Sequence, residues 1–262
     1  MVNIIFNAAL ICYLLSGLGY TSYLVFRNSM VKQFSVYLLG LGLFSHTVTI
    51  SLRSIDTGHG PYTTGFEIAS FLAWVIVVIY FFIEFKYKIK DLGAFVIPVV
   101  FLILLFSAFQ SREFSLIDES STMFWLTMHR TLSIIGYAAF AIAFGAAVMY
   151  LIQENQVKTK KLGVMYFRMP SLEVLDNLNY KVISIGFPLF TLGFMTGSIW
   201  NIKTDESFSW DPIRTLPLIV VWLVYCSIFF GRLLVGWRGK KAAQGAIIGF
   251  ISVIVSYFFH VV

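Results

Sequence analysis

Residues 92–110 read Leu92-Gly93-Ala94-Phe95-Val96-Ile97-Pro98-Val99-Val100-Phe101-Leu102-Ile103-Leu104-Leu105-Phe106-Ser107-Ala108-Phe109-Gln110, 19 residues without a charge. Crossing the hydrocarbon core of a bilayer takes about 20 mostly apolar residues in a helix. Further apolar runs occupy roughly 3–26, 34–52, 66–85, 130–152, 182–200, 215–235 and 242–260, giving about eight. None alternates apolar and polar residues between turn signals, which argues against a transmembrane barrel. The expected fold class is all-α, a polytopic transmembrane helical bundle of about eight spans, forming one membrane domain over residues 1–262.

Composition supports this. The chain is 58% hydrophobic and only 12% charged, against about 25% charged in a soluble domain. The net charge of +6 does not point to nucleic acid, because the basic residues sit in short loops between apolar runs. Fourteen of the 19 Lys and Arg residues fall in one set of alternating loops. Arg53, Arg112, Arg130, Lys203 and Arg214 fall in the other. The positive-inside bias makes the first set cytoplasmic and puts both termini outside, as an even number of spans requires. The expected location is the cell (inner) membrane. The first basic residues, Arg27 and Lys32, follow the first apolar run, so that run reads as a span and not a cleaved signal. Cys12 and Cys226 lie inside apolar runs without C-x-x-C spacing and read as small packed residues.

The long loop 154–181 carries Pro170-Ser171 before Leu172, Leu175 and Leu178, a capped amphipathic helix. It would lie on the membrane surface, pack under the bundle or serve as a connector. Glu67 reads as a helix N-terminal cap and Glu84 as a solvated residue at an inner helix end.

Chemistry concentrates on the outer side. His46 falls about 18 Å into the second span, by a helical rise of ~1.5 Å per residue. An imidazole inside a span faces a cavity, partner or cofactor, or bonds across helices to a hydroxyl or carbonyl. Imidazole is also a common axial ligand of haem iron. His129 sits at the outer mouth of the fifth span and His260 at the outer end of the eighth. His59, in Thr57-Gly58-His59-Gly60-Pro61, reads as a solvated loop residue. Trp200, Phe208, Trp210 and Asp211-Pro212 crowd the loop after the sixth span. They form either an interfacial aromatic belt or a platform for a planar ligand. The outer arginines either snorkel to headgroups or bind carboxylates, as a porphyrin's propionates would require. No G-x-S-x-G, H-E-x-x-H or phosphate loop is present, and no two carboxylates share a span interior.

Several segments together resemble the CcsA-type cytochrome c assembly proteins. They are His46 to Arg53, His59-Gly60-Pro61, Gly65-Phe66-Glu67 and Phe71-Leu72-Ala73-Trp74. Further along come Trp125 to His129, Tyr137-Ala138-Ala139-Phe140 and Gly186-Phe187-Pro188-Leu189 with Gly193, Gly197 and Trp200. Phe208-Ser209-Trp210-Asp211-Pro212, Trp222, Arg232, Gly236-Trp237 and Gly239-Lys240-Lys241 complete the set. The resemblance implies haem b held on the outer face by an outer histidine, at His129, and an aromatic loop, with His46 matching a membrane histidine. It departs in the loop, which lacks two family tryptophans and has Ile213-Arg214 where the family has Lys-Glu after Asp-Pro, and in the ligand set. The second membrane histidine would fall at Phe230, and the second outer histidine lies where this chain ends, leaving His260 as a substitute.

The leading expectation is haem binding and delivery at or across the membrane for cytochrome c biogenesis. His46, His129 and His260 would ligate iron, with Trp200, Phe208, Trp210, Asp211, Arg130 and Arg214 around the porphyrin. Partners would be haem, apocytochrome c and a membrane protein with a large outer domain. The chain would act as a component of a haem-attachment (cytochrome c synthase or haem lyase) complex and not as an enzyme alone. The alternatives are a HemX-like regulator of haem biosynthesis and a small-solute transporter.

Overall fold

The computed structural model describes residues 2–113, 123–160, 163, 166–204 and 212–261, without the side chains of Arg214, His260 and Val261. Its helices are α1 (Val2–Phe26), α2 (Ser29–Thr57), α3 (Gly65–Tyr87), α4 (Gly93–Ala108), α5 (Met123–Lys158), α6 (Leu172–Thr204), α7 (Pro212–Leu234) and α8 (Lys240–Val261). A short 3-10 turn, Lys90–Leu92, leads into α4. Among the described residues, eight helices are long and apolar enough to cross a membrane. The chain is a multi-pass membrane protein.

Where the backbone leaves a helix, its unpaired groups are satisfied locally. Asn28 caps α2 by accepting from Met30 N at 2.9 Å. Gly58, with φ +74°, closes α2 in the left-handed region. Thr64 and Glu67 form a capping box at the start of α3.

The helix at 172–178 differs from expectation: it is the first two turns of α6, continuous with the sixth span. Leu175 and Leu178 are buried there, and Val174 N bonds to the Ser171 hydroxyl at 3.4 Å. Packing against the bundle recruits the apolar stripe into the span. α5 and α6 run 36 and 33 residues, about 54 and 50 Å at ~1.5 Å per residue. Both are far longer than the ~30 Å hydrocarbon core.

α5 is the central helix, packed most extensively on α6 and also touching α3, α4 and α8. Lipid tails are as apolar as side chains, so close backbone approach has to hold membrane helices together. α5 supplies it with Gly136, Ala138, Ala139, Ala141, Ala143, Gly145, Ala146 and Ala147, all buried. A Cβ on Gly136 would stand 2.8 Å from Phe190 Cβ, and one on Gly186 would stand 2.7 Å from Ala139 Cβ.

The two ends differ in charge. The end bearing both chain termini holds Arg53, Arg112, Arg130, Lys203 and Arg214, as the helix order dictates. The lysine-rich end is cross-braced. Arg27 pairs with Asp91 at 2.7 Å and donates to the Arg168 carbonyl, while Arg168 donates back to the Leu24 carbonyl at 2.9 Å and to that of Val25. Arg232 meets Asp176 at 2.7 Å. Glu84 is not solvated: it is 7% exposed, accepts the Tyr20 hydroxyl at 2.7 Å and pairs with Lys32 at 3.1 Å. Its partners come from α1 and the start of α2, far away in the chain.

Candidate functional site

At the terminus-bearing end, α3, α5, α6, α7 and α8 enclose a cavity of about 240 Å³. α5 supplies His129, Arg130, Ser133, Ile134 and Tyr137 to its wall. These positions recur at helical spacing, so the cavity follows α5 inward by about two turns, or ~10 Å. Ile68 and Leu72 of α3, Phe190 and Phe194 of α6 and Leu218 of α7 form an apolar lining, with Thr63, Gly65, Ser256 and Tyr257 completing it.

His129 is the cavity's imidazole. Its Nδ1 lies 2.7 Å from the Gly193 carbonyl oxygen of α6. A carbonyl can only accept, so Nδ1 carries the proton and Nε2 is the acceptor nitrogen. Next to it, Arg130 donates from Nη1 to the Tyr62 carbonyl and, at 3.4 Å, to the Thr63 carbonyl. The loop before α3 is thereby clamped to α5. The Tyr62 hydroxyl reinforces the clamp at 3.0 Å from Thr127 Oγ1, and Tyr257 Oη donates to the Gly65 carbonyl at 3.3 Å. Arg130 is thus a cation on the cavity wall whose hydrogen-bond partners are neutral carbonyls.

Arg53, Arg112 and Lys203, at the same end, have partners in the protein. Arg53 Nε is 2.6 Å from Glu67 Oε1, and its Nη2 donates to the Arg112 carbonyl at 2.8 Å. Arg112 lies over the Phe66 and Phe6 rings, 4.5 and 5.2 Å from their centroids, and donates to Asn3 Oδ1. Burial, and then Arg53 beside it, push the Arg112 pKa down. Lys203 lies over the Trp125 ring at 5.4 Å. His59 is likewise no solvated residue: its side chain is 7% exposed and Nδ1 is 3.0 Å from Thr63 Oγ1.

His46 is not brought to the cavity. It is fully buried between α1 and α3, with Nδ1 3.2 Å from the Tyr13 hydroxyl and Nε2 2.8 Å from Ser70 Oγ. Both ring nitrogens are hydrogen-bonded. Ser70 points one way from α3 while Ile68 and Leu72 line the cavity on the other, so α3 stands between His46 and His129. Phe230 is 43% exposed on α7.

Trp200 lies in the last turns of α6, one turn beyond Gly197. Phe208, Trp210 and Asp211 lie outside the described residues, as do the side chains of Arg214 and His260. Their helical backbones are described: Arg214 precedes cavity-lining Leu218 by one turn of α7, and His260 follows cavity-lining Ser256 by one turn of α8. Sequence reading singled out His129 and Arg130, quoted Tyr137 only as a point of resemblance, and passed over Ser133, Phe190 and Tyr257. The signal available was the helical spacing of Arg130, Ser133 and Tyr137.

A family model described as Cytochrome C assembly protein matches residues 63–262. Curated relatives carry the name cytochrome c biogenesis protein CcsA. That of Guillardia theta is 29% identical over 276 residues, covering 96% of this chain and 90% of its own length. That of Chlorella vulgaris is 31% identical over 251 residues, covering 83% and 79%. That of Porphyra purpurea is 28% identical over 298 residues, covering 98% and 93%. With the matching region spanning every wall of the cavity from Thr63 to Tyr257, the chain belongs to the cytochrome c assembly protein family.

Proposed function

We propose that this chain takes haem b into the cavity beside His129 and presents it, at the outer face of the membrane, for attachment to apocytochrome c. The terminus-bearing end is the outer one on the positive-inside bias. The observation that carries the reading is His129 itself. Its ring lines the cavity while Nδ1–H is held by the Gly193 carbonyl, the kind of hydrogen bond that orients metal-ligating histidines.

The remaining residues fit the chemistry of an amphiphilic macrocycle. The apolar lining from Leu72 to Phe190 suits the ring, and the Arg130 guanidinium suits a propionate. Arg214 and His260 stand one helical turn from cavity-lining residues, which supports the first as a second propionate partner and the second as the other axial ligand. The enclosed space of about 240 Å³ lies just under the ~300–1,000 Å³ of pockets for drug-sized ligands. The porphyrin would therefore enter in part, with its outward edge covered by Trp200 and by Phe208, Trp210 and Asp211. Haem bound here supplies an iron to ligate and vinyl groups for thioether formation. The protein's part is to orient it and keep it from water. Neither Cys12 nor Cys226 lines the cavity, so covalent attachment falls to the thiols of the apocytochrome and to a partner with an outer domain.

A haem at His46 would have to displace both the Tyr13 and Ser70 hydroxyls, and Phe230 offers no ligand and faces outward. The reading therefore places one haem, at the outer cavity. The test is the visible spectrum of protein purified from haem-supplied membranes. A Soret band in the wild type that disappears in His129→Ala is expected. A colourless wild type, or an unchanged band in His129→Ala, overturns the reading.

A further inference from the structure

α5 and α6 meet in an antiparallel seam whose members pair in strict order. His129 lies opposite Gly197, Ser133 opposite Gly193, and Gly136 opposite Phe190. A Cβ on Gly197 would stand 2.4 Å from His129 Nδ1 and 2.7 Å from Cε1. No imidazole could keep its present place against that carbon. One turn inward, a Cβ on Gly193 would meet Ser133 Oγ at 2.4 Å and Ser133 N at 2.9 Å, so the two backbones touch there.

Small residues at a helix crossing are ordinary packing, and Gly136 with Gly186 would suffice for that. Packing alone does not explain the bond from His129 Nδ1 to the Gly193 carbonyl at 2.7 Å. The Thr196 hydroxyl has the Leu192 carbonyl at 2.9 Å and this one at 3.0 Å, so it does not need the Gly193 oxygen. A carbonyl has two lone pairs, and α6 turns this one toward an imidazole on another helix.

We infer that the α6 backbone from Gly193 to Gly197 is the positioning element of His129. The bare Cα at 197 admits the ring, and the 193 carbonyl fixes the tautomer with its proton on Nδ1. The inference rests on the haem reading of that cavity.

The decisive measurement comes first on ligand-free protein. Selective ¹⁵N-histidine labelling should find His129 protonated at Nδ1 and bare at Nε2; the opposite tautomer overturns the inference even if haem never binds. The second uses haem-loaded His129→Gly. Imidazole should restore the Soret band far better than 1-methylimidazole, which has no N–H for Gly193; equal restoration overturns the inference. Gly197→Ala, with melting temperature checked, should lose roughly 10–100-fold in haem affinity, the usual effect of disturbing the group that orients a ligating histidine; wild-type affinity there sinks the proposal. A wild type without any Soret band removes the haem reading separately and leaves the tautomer result to decide the positioning role.

Discussion

Arg53 and Glu67 bind one another at 2.6 Å, tying the last turns of α2 to the first turn of α3. Glu67 is 2% exposed and also accepts from Thr63 N at 2.9 Å and Thr64 N at 3.3 Å. The same loop carries the carbonyls that Arg130 grips, so this carboxylate braces one wall of the cavity. Glu67→Gln can still cap the helix but strands the Arg53 charge. Breaking one side of a buried pair costs about 3–5 kcal/mol, so detergent melts should fall well below the wild type. Hydrogen exchange should rise at residues 59–64. Adding Arg53→Met should recover most of the loss, and a double variant as unstable as the single one would refute the pairing argument.

Arg130→Gln should weaken haem binding and spare haem whose propionates are esterified. A charge-assisted hydrogen bond is worth about 1.5–3 kcal/mol, or roughly tenfold to a hundredfold in affinity. Titration of both porphyrins into both proteins gives the comparison. Equal losses for the two would mean that Arg130 acts by holding the loop and not by meeting a carboxylate.

His46→Leu should keep the Soret band and lose stability. The substitution leaves the Tyr13 and Ser70 hydroxyls buried without partners, at about 1–3 kcal/mol for each unsatisfied group. Adding Tyr13→Phe and Ser70→Ala should restore much of the melting temperature. Haem content that falls with His46→Leu while the fold survives would return this histidine to the ligand set.

Glu84→Ala should destabilise the lysine-rich end. It removes the acceptor of the Tyr20 hydroxyl and the counter-charge of Lys32. The cost should be about 3–5 kcal/mol. Haem affinity, corrected for the folded fraction, should not change, because the cavity lies at the opposite end. A selective loss of haem binding would contradict that separation.

How much of this was legible in the chain differs by kind of interaction. The eight spans and the sidedness of Arg53, Arg112 and Arg130 follow from local runs of residues, and sequence displays local runs directly. The burial of Glu84 does not, because its partner Tyr20 lies 64 positions away and neither residue announces the other. His46 could be placed at its depth but not given its partners, since a buried imidazole can meet a cofactor or a hydroxyl with the same flanking sequence. The helix beginning at Leu172 was readable, but its fusion with the sixth span was not, because nothing local ends or continues a helix at Lys181. Gly193 and Gly197 entered as points of resemblance. Their purpose needed the opposing helix, since a glycine is informative only through what sits where its side chain would be.

The unbroken runs of α5 and α6 have a mechanical consequence. Two rods, each roughly 50 Å long at ~1.5 Å per residue, are packed together along the seam that seats His129. Only one of the two carries a proline, Pro188 of α6, which removes a backbone hydrogen bond from that rod. Bending of the pair is therefore concentrated about a turn and a half before Gly193, whose carbonyl holds His129.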